Sequence, residues 1–390
     1  MYISDSVKYI GVDDTTIDIF ESQYPVPQGV SYNSYVILDE KTALMDTVDV
    51  RGTVEWSKKL KDALGGRTLD YIVVQHMEPD HAGSLAYAIK EYPEAIIVGN
   101  AKTFVYISQF FEGVDISARK LEVKEGDNLS LGSHSLTFVM APMVHWPEVM
   151  VTYEDSEKLL FAADGFGKFG AVGTSTEADT ATWTDEARRY FINIVGKYGP
   201  SVQGLLKKAT SLDIAKILPL HGPIITSNLG FYIDLYDKWS SYTAEESGVL
   251  VAYASIHGHT AEAAKYLSEE IKATGNTVEV IDLSRIDVAQ AVALTFKYDR
   301  LALCAATYDG GAFVPMEDFL HHLQIKACQN KKVALLENGT WGPVAAKAMR
   351  GYLETMKNMT ILEPVVTIKS AMKESDKENI KALAKLISER

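Results

Sequence analysis

From residue 248 to the end of the chain, short apolar segments alternate with longer amphipathic ones, and this alternation constrains the fold more than any other feature. Five apolar segments are predicted to form strands, namely GVLVAYAS (248–255), TVEVIDL (277–283), RLALCAAT (300–307), KKVALLE (331–337) and PVVTIK (364–369). A predicted helix follows each strand, and these helices cover residues 260–275, 287–297, 316–327, 342–359 and 377–390. Strands that are connected by helices in this way are parallel and buried on both faces. Residues 248–390 are therefore predicted to form a doubly wound parallel sheet.

The first part of the chain has a less regular pattern, which indicates a β-rich domain with helices packed on it. SYNSYVILD (31–39) and KTALMDTVD (41–49) predict a hairpin with its turn near Glu40. TVEWSKKLKDALGG (53–66) predicts a helix that two glycines end. Most of residues 120–163 is predicted to form strands.

The length of 390 residues predicts two domains rather than one. The pattern changes near the polar segment SYTAEESG (241–248), which ends in glycine and is the predicted join. The predicted domains are therefore residues 1–245 and residues 248–390.

Composition excludes several classes of function. The net charge of −14 argues against a nucleic-acid partner, because phosphates favour a basic surface. No apolar run approaches the length of about 18 residues that a membrane span needs, and the first residues lack the pattern of a signal peptide. The expected location is cytoplasmic. The two cysteines form no CxxC pair, so no four-cysteine metal site is expected.

The segment VQHMEPDHAG (74–83) concentrates groups that bind metals, with two imidazoles and two carboxylates within six residues. These candidate ligands are His76, Glu78, Asp80 and His81. They follow the predicted strand DYIVVQ, so they are expected in a loop at the strand's C-terminal edge, where functional residues are common. In extended or irregular backbone the first three side chains are expected to project similarly and the last one elsewhere. The motif would then serve two metal positions.

Three further residues of this kind each follow an apolar strand-like segment. His145 follows FVMAPMV, Asp164 follows KLLFAA and His221 follows AKILPL. Any one of them alone is better interpreted as a hydrogen-bonded loop residue. All seven together favour a metal site, because burying so many ionisable groups is costly without one. His134, His321 and His322 lie outside this pattern and are interpreted as structural or surface residues.

The seven residues resemble the ligand pattern of the metallo-β-lactamase fold, a four-layer αββα sandwich. Glu78 stands where the hydrolases of that fold carry a second histidine. A carboxylate in place of an imidazole makes the site harder and more anionic, which favours iron over zinc. With a flavodoxin-like half attached, the whole chain closely resembles the class A flavodiiron proteins.

This resemblance implies a pair of non-haem irons, spaced closely enough to hold a diatomic ligand between them. It implies that His76, Glu78 and His145 hold one iron. It implies that Asp80, His81 and His221 hold the other, and that Asp164 bridges the two. The position of His81 need not coordinate iron in every member of the family.

Three loops of the second domain are candidates for binding FMN, because they follow the first, third and fourth predicted strands. In a sheet with strand order 2-1-3-4-5, such loops converge where FMN binds in flavodoxins. SIHGHT opens a helix and can cradle a phosphate, although glycine and asparagine are also ordinary turn residues. The candidate FMN residues are Ser255, Ile256, His257, Gly258, His259, Thr260, Thr307, Tyr308, Asp309, Gly310, Gly311, Asn338, Gly339, Thr340 and Trp341. The effect of the two histidines on the flavin is left open.

The resemblance implies an oxidoreductase that reduces O2 to water, NO to N2O, or both, with electrons passing through FMN to the diiron centre. An external donor is expected because the chain ends at LISER without a rubredoxin-like CxxC module, and rubredoxin is the usual donor in the family. The resemblance also implies a head-to-tail homodimer, with a dimer of dimers as a further option. Trp146 and Trp341 are candidates for the junction between flavin and metals, and ordinary aromatic packing is the alternative.

Two other functions stay open at this point. One is a metallo-β-lactamase-type zinc hydrolase fused to a flavodoxin-like module, and the other is a flavin or redox sensor without catalytic activity. Glu78 argues against the first, and the complete set of ligand-type residues argues against the second. The ligand residues do not distinguish O2 from NO.

Overall fold

The computed structural model describes residues 3–173 and 179–389. The chain divides into two compact units. The first consists of Met1–Phe191 and Pro200–Asp237, and the second consists of Ile192–Gly199 and Lys238–Arg390. The domain limits at residues 245 and 248 stay a prediction.

The elements that precede residue 241 are mostly short strands and helices. The strands are β1 (Val7–Tyr9), β2 (Val12–Asp14), β3 (Ile19–Phe20), β4 (Tyr24–Pro25), β5 (Val30–Tyr32), β6 (Tyr35–Leu38), β7 (Thr42–Met45), β8 (Tyr71–Val73), β9 (Ile96–Gly99), β10 (Lys120–Glu122), β11 (Asn128–Ser130), β12 (Ser135–Met140), β13 (Met150–Glu154), β14 (Leu159–Phe161) and β15 (Lys216–Leu218). The helices are α1 (Thr53–Leu64), α2 (Pro79–Ala82), α3 (Leu85–Glu91), α4 (Ala101–Phe110), α5 (Thr180–Tyr190), α6 (Gly199–Ala209) and α7 (Leu229–Ser240). Other helical turns cover Val50–Gly52, Phe191–Val195 and Gly196–Tyr198.

Two sheets form the centre of the first unit. One has the strand order β1-β6-β7-β8-β9-β10 and the other has the order β11-β12-β13-β14-β15. Their inner faces share one apolar core, in which the ring of Tyr35 lies 5.5 Å from the ring of Phe161. Helices cover the outer faces, where Trp56 of α1 is buried. The first unit is therefore the αββα sandwich expected from the sequence.

The predicted hairpin and helix near the start of the chain are confirmed. β6 and β7 pair antiparallel, with Leu38 opposite Thr42, so the turn lies at residues 39–41. Helix α1 ends at Leu64, and Gly65 caps it with a φ of 58°, in the left-handed region that favours glycine. The strands predicted for residues 120–163 are also present, as β10 to β14.

The second unit contains the predicted alternation of strands and helices. Its strands are β16 (Glu246–Ala254), β17 (Val278–Asp282), β18 (Tyr298–Tyr308), β19 (Gly311–Ala312), β20 (Lys332–Asn338), β21 (Thr360–Ile361) and β22 (Val366–Ile368). Its helices are α8 (His259–Ala273), α9 (Val288–Lys297), α10 (Val314–Ile325), α11 (Ala345–Leu353) and α12 (Glu374–Ser388).

The main sheet of this unit has the order β17-β16-β18-β20, and β21 and β22 both pair with β20. These pairings are parallel, whereas the short β19 pairs antiparallel with β18. The strand order 2-1-3-4-5 of the flavodoxin-like fold is confirmed. None of the described helices in either unit is long and apolar enough to cross a membrane.

Several predicted boundaries differ from the structure by a few residues, and those of α11 and β16 are examples. Helix α11 was expected to begin at residue 342 but begins at Ala345, because the hydroxyl of Thr307 accepts hydrogen bonds from the backbone N–H groups of Val344 and Ala345. This contact holds residues 342–344 in a loop. Strand β16 begins at Glu246, inside the segment predicted as the join.

Candidate metal centre and cofactor pocket

The seven predicted ligand residues come together in the first unit, although 145 positions separate the first from the last. They form two groups, and within each group one ligand-type atom per residue lies within 4.8 Å of the others. The first group is His76, Glu78, His145 and Asp164, and the second is Asp80, His81 and His221. Most of these side chains are buried.

In the first group, two imidazole nitrogens face two carboxylate oxygens. The Nε2 atom of His145 lies 3.0 Å from both Glu78 Oε2 and Asp164 Oδ2. The Nε2 atom of His76 lies 3.3 Å from Glu78 Oε2 and 3.4 Å from Asp164 Oδ2. The four side chains therefore point their ligand-type atoms at a common centre.

The second group has the same arrangement around the other oxygen of Asp164. The Nε2 atom of His81 lies 3.1 Å from Asp164 Oδ1 and 3.4 Å from Asp80 Oδ2. The Nε2 atom of His221 lies 3.2 Å from Asp80 Oδ2 and 3.8 Å from Asp164 Oδ1. Asp164 thus presents Oδ2 to the first group and Oδ1 to the second, which is the placement of a bridging carboxylate.

The spacing of these atoms fits two bound metal ions. Two ligand atoms at about 2.0–2.2 Å from an ion, with about 90–110° between them, are roughly 2.8–3.6 Å apart. Every distance above lies in that interval except the 3.8 Å between His221 and Asp164. Carboxylate and imidazole together are a donor set that suits non-haem iron.

Unsatisfied polar atoms in the same place also indicate metal binding. Both carboxylate oxygens of Asp80, Oδ1 of Asp164 and both ring nitrogens of His81 are buried and have no hydrogen-bond partner among the described residues. Buried polar atoms in native proteins nearly always have a partner. A cation between the two groups would supply that partner for most of them.

The electrostatics of the cluster without metal show how strongly it favours positive charge. Burial disfavours charge on His145, but hydrogen bonds that its ring donates to the carboxylates of Asp164 and Glu78 raise the pKa of His145 to about 9. Burial also opposes charge on Asp164, but the imidazoles of His81 and His76 lower the pKa of Asp164 well below its usual range. Protons on the imidazoles thus take the role that metal ions would have.

One expectation about the motif at residues 76–81 is wrong. Asp80 does not project with His76 and Glu78, because Pro79 begins the one-turn helix α2 and Glu78 precedes it as the last extended residue. Proline is favoured in this first helical position. The alternation of an extended chain therefore ends at Glu78, and Asp80 joins His81 in the second group.

Two residues that the sequence did not single out orient the imidazoles. The buried carboxylate of Glu148 accepts a hydrogen bond from His76 Nδ1 at 2.8 Å, and the backbone carbonyl of Ser31 accepts one from His221 Nδ1 at 2.8 Å. Donation from Nδ1 leaves the Nε2 lone pair free to face the cluster. Glu148 lies three residues after His145, and that proximity was the one available signal in the sequence.

Aromatic side chains enclose the second group on the side of His221. The rings of Phe20, Tyr32 and Tyr190 lie 5.6, 5.8 and 5.4 Å from the ring of His221. Phe169 packs against Phe20 and Tyr190 in turn. This packing keeps the second group buried.

The three histidines outside the pattern are placed away from the cluster. His134 is hydrogen-bonded to Asp39 at 3.0 Å, and its ring also lies 3.4 Å from Glu157. His322 is hydrogen-bonded to the Asp318 carbonyl within α10, and His321 is exposed. Their interpretation as structural or surface residues is confirmed.

The second unit has a cavity of about 590 Å³ at the carboxyl ends of its parallel strands. Thirteen of the fifteen candidate FMN residues line it, whereas Gly258 and Gly311 lie in the same loops without lining it. The sequence missed four lining residues, namely Ala306, Gly342, Val344 and Ser370. The three predicted loops therefore converge on one cavity.

Hydrogen bonds hold these loops in place. The hydroxyl of Ser255 accepts a hydrogen bond from the N–H of Gly258, whose φ of 92° brings the chain into α8. Asn338 is hydrogen-bonded to the backbone of Ser370 in both directions, at 2.8 and 3.1 Å. Trp341 is 94% exposed, so its ring is free to cover a ligand. A cavity of this kind at this edge of a doubly wound sheet fits FMN.

Two family models match different parts of the chain. Residues 30–222 match the model of the ODP family beta lactamase, and residues 251–381 match the model of flavodoxin.

Curated relatives match both parts together. The chain is 29% identical to the nitric oxide reductase of Moorella thermoacetica, over 100% of this chain and 98% of that protein. It is 26% identical to the anaerobic nitric oxide reductase flavorubredoxin of Pectobacterium atrosepticum, over 87% of this chain and 68% of that protein. It is also 29% identical to the diflavin flavoprotein A 1 of Synechocystis sp., of which it spans 47%.

Solved structures of other proteins also match the chain along nearly its whole length. The rubredoxin oxygen:oxidoreductase of the anaerobe Desulfovibrio gigas matches with a TM-score of 0.91 and 26% identity, over 99% of this chain and 97% of that one. The flavodiiron protein of Giardia intestinalis shares the fold, with a TM-score of 0.90 at 24% identity over 99% of this chain and 95% of that one. Because the two family models match successive parts of this chain, and the relatives and solved structures match along nearly its whole length, the chain belongs to the flavodiiron proteins.

Proposed function

We propose that this protein reduces O2 to water, NO to N2O, or both, with electrons that pass from an external donor through FMN to a pair of non-haem irons. The observation that carries the proposal is the division of the ligand cluster, in which Asp164 presents one oxygen to each of two groups. Relatives named nitric oxide reductase and rubredoxin oxygen:oxidoreductase support both substrates. No observation favours the zinc hydrolase.

The proposed ligands follow the two groups. His76, Glu78 and His145 would hold one iron, and Asp80, His81 and His221 the other, with Asp164 between them. When bound, the two irons supply electrons and open coordination positions for a diatomic substrate. Reduction of O2 to two waters consumes four electrons and four protons. Reduction of two NO to N2O and water consumes two of each.

The chain's own residues prepare the site for this chemistry. Glu148 and the Ser31 carbonyl hold the imidazoles of His76 and His221 in the tautomer that binds metal through Nε2. The aromatic side chains around His221 limit access of water from that side. The carboxylate of Glu78 faces the first group and that of Asp80 faces the second, so each metal position has one negatively charged side chain of its own.

FMN is the proposed electron carrier because the second unit matches flavodoxin and has the three-loop cavity. Rubredoxin is the first candidate for the donor, since the Desulfovibrio gigas relative is named for it, and another reductant is the alternative. The cytoplasmic location predicted from the sequence stays a prediction.

We further propose a head-to-tail homodimer, with a dimer of dimers as a further option, in which the FMN of one chain serves the metals of its partner. A two-fold axis repeats every contact, so both flavin–metal pairs would form together. Trp341 is exposed beside the FMN cavity, and Trp146 packs against His76 with the ring centres 5.4 Å apart. These two residues are the candidates for lining the junction.

The proposal is tested by metal and flavin analysis combined with gas consumption. Protein expressed with ample iron is expected to hold about two irons and one FMN per chain. With a reduced donor, consumption of O2 and of NO is then measured side by side, with NO under anaerobic conditions. Stoichiometric zinc, with no activity gained after iron reconstitution, would contradict the diiron assignment.

A further inference from the structure

A cavity of about 320 Å³ in the first unit has no role in the function proposed above. Val139 of β12 and Val151 of β13 line it, and they lie opposite each other in the second sheet. Their chain neighbours Phe138 and Met150 belong to the core between the two sheets. Because successive side chains of a strand point to opposite faces, the cavity lies on the outer face of this sheet, beneath α6 and α7.

Helix α6 faces this cavity with a regular apolar stripe. The residues of α6 that line the cavity recur at the spacing of one helix face, namely Val202, Leu205, Leu206 and Ala209. Such a stripe normally packs against a sheet and is buried there. Here Val202 is buried, but the other three are only half-buried. The stripe therefore does not fill the space above the sheet, and the cavity is what is left.

The lining offers almost nothing to a water molecule. Of the described residues that line the cavity, only Thr210, Asp213 and Tyr236 have polar side chains. The Thr210 hydroxyl donates to a backbone carbonyl of α6 at 2.7 Å, and Asp213 is paired with Lys158. The Tyr236 hydroxyl accepts a hydrogen bond from the N–H of Phe166. Since a buried water needs two to four polar partners, the interior of this cavity is expected to be dry.

The two ends of the cavity differ in their surroundings. At the outer end Thr210 and Asp213 are exposed, and Ile233 of α7 is 37% exposed, so a small molecule can enter from solvent. At the inner end the lining includes Val144 and Gly165. Val144 directly precedes the candidate ligand His145, and Gly165 directly follows the candidate ligand Asp164. The cavity therefore extends from the surface to the chain segments that carry two of the metal ligands.

We propose that this cavity takes up the gaseous substrate, O2 or NO, from solvent and holds it beside the metal centre. The proposal rests on the function proposed above and adds a second binding site for the substrate of that reaction. At about 320 Å³ the cavity exceeds the roughly 150 Å³ of a dry apolar cavity that binds xenon or benzene. Aromatic side chains enclose the metal cluster on the side of His221, so an apolar entrance on another side serves the substrate.

The expected effect on catalysis follows from the chemistry of the two gases. Both are small and uncharged, so they favour a dry apolar space over water. Gas held in the cavity is concentrated next to the metals, and a lower concentration in solution then suffices to saturate the enzyme. The cavity binds the substrate before any bond changes, so it should affect KM and leave kcat unchanged.

The first measurement locates xenon rather than following activity. Crystals of the full-length protein with its cofactors are held under xenon pressure, and diffraction data are collected. Xenon is expected in the wild-type cavity, beneath α6. In Ala209→Trp the indole should occupy this space and exclude xenon. Ala209→Leu adds less volume and keeps a strong helix former, so it should fold even if the larger change does not, and it should hold xenon at reduced occupancy.

The second measurement is the KM of the same proteins for O2 and for NO, at a saturating concentration of reduced donor. Ala209→Trp should raise the KM for both gases about three- to tenfold with kcat unchanged, and Ala209→Leu should raise it less. Ala215→Trp is the matched control, because Ala215 is an exposed alanine just before β15 that does not line the cavity. This variant should keep both the xenon site and the KM of the wild type.

Four results would overturn the proposal. Xenon could be absent from the wild-type cavity, or the KM could stay unchanged in an Ala209→Trp variant that has lost xenon. The KM could also rise equally in Ala209→Trp and Ala215→Trp, or the cavity could hold a copurified acyl chain, which would make its occupant a lipid rather than a gas. An active wild type without xenon would overturn only this proposal, whereas a wild type that holds iron and FMN but consumes neither gas would overturn the proposed function and with it the role of the cavity.

Discussion

Glu148 is the residue whose removal most directly tests how the chain positions its metal ligands. Its side chain is fully buried, and its Oε1 atom accepts hydrogen bonds from His76 Nδ1 at 2.8 Å and from the N–H of Met77 at 2.9 Å. The change Glu148→Ala removes both. The ring of His76 is then free to rotate or to change tautomer, so that Nε2 no longer reliably faces the first group.

The expected magnitude follows from which metal position the hydrogen bond supports. Loss of an outer partner of a metal-bound histidine costs about 10- to 100-fold in metal affinity, which corresponds to about 1.4–2.7 kcal/mol. Only one of the two irons should be affected, because His76 belongs to the first group and has no ligand role in the second. In Glu148→Gln an amide oxygen can still accept both hydrogen bonds, so a smaller loss is expected.

The assay is competition for iron between the protein and a chelator, with the affinity of each of the two sites fitted separately. Glu154→Ala is the matched control. Glu154 is also fully buried, belongs to strand β13 just after Glu148, and accepts two backbone N–H bonds, from Ser156 and Glu157, each at 2.8 Å. Both alanine variants should lose about 2–4 kcal/mol of unfolding free energy, but only Glu148→Ala should lose iron affinity.

The reasoning would be refuted by either of two results. Equal loss of iron affinity in the two alanine variants would show that general destabilisation, rather than orientation of His76, is responsible. Unchanged affinity in Glu148→Ala, with the variant folded, would show that other contacts of His76 suffice to position its ring.

Three further predictions concern the metals, the route of electrons and stability. Asp164→Ala should abolish iron binding at both positions and gas reduction but leave FMN bound, because the carboxylate faces both groups and the flavin cavity lies in the other unit; full activity in this variant would show that Asp164 is only structural. A dimer that combines a chain carrying His145→Ala and Asp164→Ala with a chain carrying Gly258→Trp should regain activity that both parent homodimers lack; a stable mixed dimer that holds iron and FMN yet stays inactive would contradict transfer between chains. In Asp39→Asn, the free energy of unfolding should fall less than in the wild type as the pH is lowered from about pH 4 to about pH 2. Burial opposes the charge of Asp39, but hydrogen bonds from the backbone and ring of His134 hold its pKa at about 2, so the wild type loses this stabilisation as pH falls through that value; an identical acid-unfolding curve for both proteins would contradict this.

The second unit shows how much of a fold local pattern can predict. All five main strands, their helices and the order 2-1-3-4-5 are as predicted. Each element can be recognised from the spacing of apolar residues along a short segment. The boundary of α11 was missed for a tertiary reason, since the hydroxyl of Thr307, 37 positions from Val344 in the chain, holds the residues before the helix in a loop.

For the metal cluster, too, the sequence predicted some features correctly and others wrongly. Its seven residue types were recognisable because imidazoles and carboxylates directly after apolar strands are costly to bury without a cation. Their division into two groups from local geometry was wrong at Asp80, where Pro79 starts a helical turn that alternation along an extended chain does not represent.

The sequence by itself therefore determined the fold class, the chemical types of the candidate ligands and the loops that line the flavin cavity, since these depend on residues close together in the chain. Only the tertiary structure decided which oxygen of Asp164 faces which group, and that Glu148 and the Ser31 carbonyl orient His76 and His221. Those contacts join residues 72 and 190 positions apart. Their geometry depends on how strands and loops from distant parts of the chain pack together, and no pattern within a single segment carries that information.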